Sequence, residues 1–413
     1  MTMSETLGLK TILAAVLCLC LLLAFAPRVG HADPSEGEHV TVATVDYDEM
    51  YWGIGLSYTR IIELSHSGEA NGTLMATYEL GTSGLHLEKP GYHIHVSRDG
   101  GSTWEEVAVI REKAAAVQSE WQPFLFELPC QIGDMPEGTI ICAACSIDSA
   151  HKKQSALRLY RSNDIGQTWQ QFGTVAIGGG LETGVWEPFL MVLPDGRLAC
   201  YYSDSTDEPH YSQKMVMRIS ENGVDWGETI DIVALPSQEL RPGMGTVARM
   251  NDGRYIMTYE LCNANDPGCG NPVYYKFSED GIDWGDVTDP GIKMTIYAGT
   301  NKAAVPGSCP YLAYCPDYGE NGLLLCTSGF QTPTSYKGHL VYVNDQLGDP
   351  SAWKEWDQPV QIRGSQGGYS RAIFVSANGH TIYFVNNVPD PASEEGYYRM
   401  IFMRIEADSI HFW

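Results

Sequence analysis

Positive charge is scarce in this sequence. The 413 residues include 26 Lys and Arg against 51 Asp and Glu, a formal net charge of -25. A nucleic-acid duplex or an anionic membrane surface is therefore a poor partner, and a polyanionic substrate would need a local Arg cluster to overcome the field. Long apolar runs are equally scarce: after the stretch Thr11 to Ala26, none is long enough to cross a bilayer. A second domain is missing too, since the repeat described below occupies nearly the whole chain.

The one apolar run reads as a secretory leader. Lys10 precedes it, and Gly30-His31-Ala32 places small residues at the two positions a signal peptidase reads. Residues 1–32 are expected to leave, with Asp33 as the first residue of a secreted, extracellular protein that has no membrane anchor. Lipid attachment at Cys18 or Cys20 is the competing reading, disfavoured by the bulky residues ahead of each. Of 11 Cys, 9 would remain after cleavage, an odd number. Cys262 and Cys269 bracket a short polar loop and are the expected disulfide. Cys142 and Cys145 have CxxC spacing, but they lie in a strand-like run, where residues three apart face opposite sides, which argues against a metal or redox pair. No metal or other cofactor is expected.

What the sequence does have is a double ladder. Gly recurs at 72, 138, 196, 253, 322 and 379, and Trp follows at 104, 169, 226, 284, 353 and 413, always 30 to 34 residues later. Length alone would suggest two or three domains. Six copies of one unit instead make residues 33–413 a single repeat architecture.

Each unit has the same parts. An apolar strand comes first, as in Thr59–Leu64, Pro123–Leu128, Pro188–Leu193, Gly245–Met250, Tyr311–Tyr314 and Ala372–Val375. An Asn-Gly, Glu-Gly or Asp-Gly turn supplies the positive φ of a hairpin, and a second strand follows. In the first unit this turn, Asn71-Gly72-Thr73, is also a glycosylation sequon if the source is eukaryotic. A third strand then ends in a turn such as Ser97-Arg-Asp-Gly-Gly-Ser-Thr-Trp104 or Ser278-Glu-Asp-Gly-Ile-Asp-Trp284. These turns resemble the Asp-box repeats of sialidase-like propellers. Asp99, Asp164 and Asp280 are read as turn-builders on the outside of a blade, and each Trp as packing between units.

Four strands per unit, six times over, predict an all-β, six-bladed β-propeller with Asp-box turns. The fourth strand follows each Trp, and the sixth unit has none after Trp413. The strand His39 to Val45, ahead of the first unit, is expected to fill that place and close the ring, which removes an open sheet edge.

In such a fold the first strands line the central channel. Candidate functional groups therefore lie where first strands begin (Arg60, Gln122, Glu187, Arg241, Arg371) and where second strands end (Glu79, Asp148, Asp204, Glu260). Glu187 stands in Trp186-Glu187-Pro188-Phe189-Leu190, where the preceding unit has Gln122 in Trp121-Gln122-Pro123-Phe124-Leu125. A carboxyl group in so apolar a setting should have a raised pKa, as a general acid needs. Glu260 ends the second strand of the next unit, and two carboxylates at one channel end are what glycoside hydrolysis uses. Tyr369 sits at another channel entry, and Trp52 and Tyr58 are candidates to stack on a sugar. For the aromatics, packing at blade interfaces is the alternative.

Together the Trp-Glu-Pro-Phe-Leu stretch, the pair Tyr259-Glu260, the leader and the six-unit framework resemble glycoside hydrolase family 93. Its members are secreted six-bladed propeller exo-α-L-arabinanases that release arabinobiose from α-1,5-arabinan with retention. The resemblance implies a polysaccharide substrate, arabinan, with Glu187 as acid/base and Glu260 as nucleophile. Arg60, Glu79, Gln122, Asp204, Arg241, Tyr369 and Arg371 are the expected substrate-binding set, and a monomer is expected. A sialidase is the nearest alternative, because Arg60, Arg241, Arg371 and Tyr369 could supply an Arg triad and a Tyr nucleophile. Against it, Arg60 is followed by Ile61-Ile62 in place of Ile-Pro, and no Asp stands out after the first blade as the acid. A non-catalytic glycan-binding propeller is the alternative from another class, and the paired glutamates argue against it.

Overall fold

The hairpin glycines set the geometry of every unit. In the computed structural model all six Gly of the ladder have φ between +68° and +91°, the left-handed region in which a side chain is strained. The structure describes residues 39–45, 56–80, 91–112, 119–147, 154–264, 269–332, 340–358, 369–390 and 398–412. The proposed leader, Trp52, Asp148 and Trp413 lie outside the described residues.

Six four-stranded antiparallel sheets form the blades of a propeller. Blade I is Leu56–Glu63, Leu74–Leu80, Tyr92–Ser97 and Glu105–Ile110; blade II is Ser119–Glu127, Ile140–Ile147, Ser155–Ser162 and Gln170–Gly178. Blade III is Val185–Val192, Leu198–Asp204, Lys214–Ser220 and Ile230–Val233; blade IV is Arg241–Arg249, Tyr255–Cys262, Val273–Ser278 and Ile292–Lys293. In blade V, Tyr311–Cys315 is followed by Leu323–Thr327, Leu340–Asn344 and Lys354–Asp357, with a separate two-stranded ribbon of Val305–Gly307 and Phe330–Thr332 beside it. Blade VI has Ala372–Val375, Thr381–Pro389 and Tyr398–Glu406, and its outermost strand is Val40–Val45. That strand pairs antiparallel with Tyr398–Glu406, Val40 opposite Phe402 and Val45 opposite Tyr398. The ring thus closes as the sequence predicted.

First strands of consecutive blades touch all the way round, with blade VI returning to blade I. They line a channel whose far end is a cavity of about 370 Å³ walled by Phe124, Phe189, Val247, Leu312 and Ile373. Between blades the Trp ladder packs backwards. Trp104 of blade I meets Phe402 of blade VI at 5.4 Å between ring centroids, Trp284 meets Tyr201 of blade III at 6.2 Å, and Trp353 meets Tyr275 of blade IV at 5.8 Å. Burying rings this large supplies much of the interblade adhesion. The preceding turns are self-contained: Asp99 accepts from the Thr103 amide (2.9 Å) and hydroxyl (2.6 Å), Asp164 repeats both bonds with Thr168, and Asp280 accepts from the amides of Ile282 and Asp283.

The expected disulfide is not formed. Cys262 and Cys269 are not bonded to each other. Cys262 turns its sulfur to Glu260, whereas Cys269 faces the Pro306 carbonyl of the blade V ribbon. Cys142 and Cys145 do face opposite sides of their strand, each buried in a different core cluster.

Candidate active site

One residue near the start of each first strand is forced into the left-handed region: Tyr58 (φ 47°), Gln122 (55°), Glu187 (56°), Met244 (57°), Cys309 (39°) and Ser370 (51°). In blades I to IV the pairing register slips at this residue, between Ser57 and Arg60, Trp121 and Phe124, Trp186 and Phe189, and Gly243 and Thr246. A β-bulge of this kind re-aims a side chain. Non-glycine residues held at positive φ cost about 1–3 kcal/mol each and cluster at functional sites. Here the strain is repeated six times at one end of one channel.

The bulges place Gln122 and Glu187 side by side. Gln122 Oε1 accepts the Glu187 amide at 3.0 Å, and its Nε2 donates to Glu187 Oε1 and to the Tyr58 hydroxyl, both at 3.3 Å. Ser203 donates its hydroxyl to Glu187 Oε2 at 2.5 Å, and the Met244 amide donates to the same oxygen at 3.3 Å. Glu187 keeps part of its surface open and lines a small cavity with Tyr58, Arg60, Phe189, Met244 and Tyr311. Desolvation, above all, pushes its pKa up to about 7; the charge of Glu260 adds to the rise, while Ser203, Met244 and Arg241 oppose it.

Glu260 belongs to the next blade and stands opposite Gly243 in the ladder. Its Oε2 accepts the Cys309 amide at 2.8 Å and its Oε1 accepts the Cys262 thiol at 3.1 Å. Gly243 keeps the space beside the pair open. A Cβ there would lie 2.5 Å from Gln213 Nε2, 3.1 Å from Ser203 Oγ and 3.6 Å from Glu187 Oε2.

A shared rule links the second-strand exits. Glu79, Cys145, Ser203 and Glu260 each pair with the residue just before the bulge, namely Ser57, Trp121, Trp186 and Gly243. Three of them accept the bulge amide of the following blade: Gln122 to Glu79 (2.8 Å), Met244 to Ser203 (3.2 Å) and Cys309 to Glu260 (2.8 Å). The exits read from sequence were one residue too long in blade III. Asp204 pairs with Val185 and so faces away from Ser203, its Oδ1 taken by the amide and hydroxyl of Thr206. Ser203, which the sequence reading missed, is the residue that reaches Glu187. Only a period-two count from the bulge would have found it.

Glu79 lies on the other side of Gln122 from Glu187, and burial raises its pKa to about 7. Arg60 is buried against the rings of Tyr58 and Tyr311, 5.3 and 4.9 Å from their centroids, and donates to Ser370 O and Oγ. Arg241 donates to Gln213 Oε1 at 2.9 Å. Arg371 is buried and directs Nη2 to the carbonyls of Ser328 and Leu340. The three guanidiniums that an Arg triad would require are thus held by three separate sets of partners. Tyr369 packs edge-on to Tyr58 at 5.8 Å, beside Met244 and Cys309. Of the two readings of Tyr58, sugar platform or packing residue, its burial with Arg60 over the ring favours packing.

The class follows from the fold and from the solved structures it matches: a glycoside hydrolase, with Glu187, its pKa raised to about 7, and Glu260 at one channel mouth. More particularly, the chain is similar to solved structures of family 93. The α-L-arabinanase of Penicillium chrysogenum, complexed with arabinobiose, is 28% identical over 90% of this chain and 99% of its own, with a TM-score of 0.75. The GH93 α-L-arabinofuranosidase of Fusarium graminearum, also with arabinobiose, is 27% identical over 91% and 99%, with a TM-score of 0.72. The NanB sialidase of Streptococcus pneumoniae shares the fold alone, at 13% identity and a TM-score of 0.55 over 90% of this chain and 71% of its own. No protein-family model matches the chain, and no curated protein matches it in sequence.

Proposed function

We propose that the protein is a secreted arabinan hydrolase that cleaves α-1,5-linked arabinan from the chain end, releases arabinobiose and retains configuration. The observation that carries this reading is the pairing of Glu187 and Glu260 from adjacent blades at one channel mouth, where the charge of Glu260 helps to raise the pKa of Glu187. Arabinobiose in the complexes of two similar proteins supports the substrate class.

Glu187, protonated up to about neutral pH, gives its proton to the glycosidic oxygen as the bond to C1 breaks. Glu260 attacks C1 and forms a glycosyl-enzyme ester. Its two oxygens accept hydrogen bonds from different elements, which fixes the plane of attack. Water then cleaves the ester, with Glu187, now ionised, as base; the proton returns to Glu187 and Glu260 is released. Gln122, Ser203 and the Met244 amide hold Glu187 in place. Product analysis on debranched arabinan tests the reading: a disaccharide of retained anomeric configuration is expected, and a ladder of mixed oligomers, or no product, counts against it.

A further inference from the structure

Glu260 is held by a thiol. We propose that Cys262 is a positioning residue for Glu260, its S–H donating to one carboxylate oxygen so that the other faces the sugar carbon in a fixed orientation; this rests on the reading of Glu260 as nucleophile. The geometry is specific. The Cys309 amide reaches Oε2 at 2.8 Å and the Cys262 thiol reaches Oε1 at 3.1 Å, so the carboxylate is gripped from two blades and its rotation is stopped.

The backbone around Cys262 is built to hold the sulfur there. Cys262 ends its strand opposite Arg241, and the next residue, Asn263, turns the chain with φ 61° and donates Nδ2 to Glu239 O at 3.1 Å. Residues two apart on a strand share a face. Cys262 and Glu260 therefore project to the same side, and the turn at Asn263 begins immediately after the contact. Burial and the neighbouring Glu260 carboxylate push the thiol pKa up, so the sulfur keeps its hydrogen and remains a donor. A thiol is a weak donor, which orients a carboxylate while taking little of its charge.

Linear arabinan hydrolysis by the full-length wild type, Cys262→Ala, Cys262→Ser and Glu260→Gln, with thermal melts of each, tests this. The expected result is that Cys262→Ala loses about tenfold in kcat, the low end of what a hydrogen bond to a charged group contributes, as suits a weak donor. KM and the melting temperature should stay near wild type, and Cys262→Ser should recover most of the loss because a hydroxyl also donates. Wild-type kcat in Cys262→Ala overturns the proposal, as does equal impairment of Ala and Ser together with a lowered melting temperature. If Glu260→Gln retains full activity, the nucleophile assignment itself is wrong, an outcome separable from failure of the Cys262 role alone.

Discussion

Glu187 keeps a proton because little water reaches it and a second carboxylate stands near. The groups around it come from other strands: Gln122, Ser203, Met244 and Glu260. With a pKa of about 7, activity should fall on the alkaline side of neutrality as the acid loses its proton. A kcat/KM profile on linear arabinan checks this, and Ser203→Ala, which removes a donor to the ionised form, should move the limb to higher pH. At Gly243 the need is for empty space. Gly243→Ala should cut activity by about tenfold or more, because the new methyl must displace the Gln213 amide that holds Arg241 and crowd Glu187. The unit positions of Glu187 and Glu260 could be read from sequence, Glu187 because the preceding unit carries Gln122 there, and Glu260 because it ends a second strand, as Glu79 does in blade I. Ser203 and the Cys262 contact could not. The bulge at Glu187 changes which side chains share a face, and neither Tyr58, Gln122, Glu187 nor Met244 has a residue type that signals a bulge.

Within and between blades, the sequence was most informative. Hairpin glycines, Asp-containing turns and the strand that closes blade VI all rest on contacts within a few residues or on an apolar alternation, and those are local. The Cys262–Cys269 bridge was misread for the converse reason. Loop spacing permits it, but the sulfurs are committed to Glu260 and Pro306. The seam between blades I and VI makes a direct test of how the ring is sealed. Gly101 has φ +94°, and a Cβ there would lie 2.0 Å from the Phe402 ring that packs on Trp104. Gly101→Ala combines strain with overpacking and should cost about 2 kcal/mol or more, read as a lower denaturant midpoint with an unchanged slope.

For the whole molecule, the raised carboxyl groups set a pH dependence. Glu79 and Glu187 have folded pKa values of about 7 against an ordinary 4.5, so between those limits the native state binds protons that the unfolded chain has released. Their contribution is fully present below about pH 4.5 and is lost as pH rises through about 7. Thermal melts should therefore show a fall in stability across that window, and the fall should shrink in Glu187→Gln. The ring as a whole brings the two glutamates together. They come from separate blades, 73 residues apart in sequence, and meet only because first strands of neighbouring blades pack side by side. The central claim is that this pair performs the chemistry. The most direct measurement is the rate of sugar release from linear arabinan by wild type, Glu187→Gln and Glu260→Gln under identical conditions. Loss of at least about a thousandfold in both variants, with folding intact, is the predicted result; cleavage by either variant at the wild-type rate would contradict it.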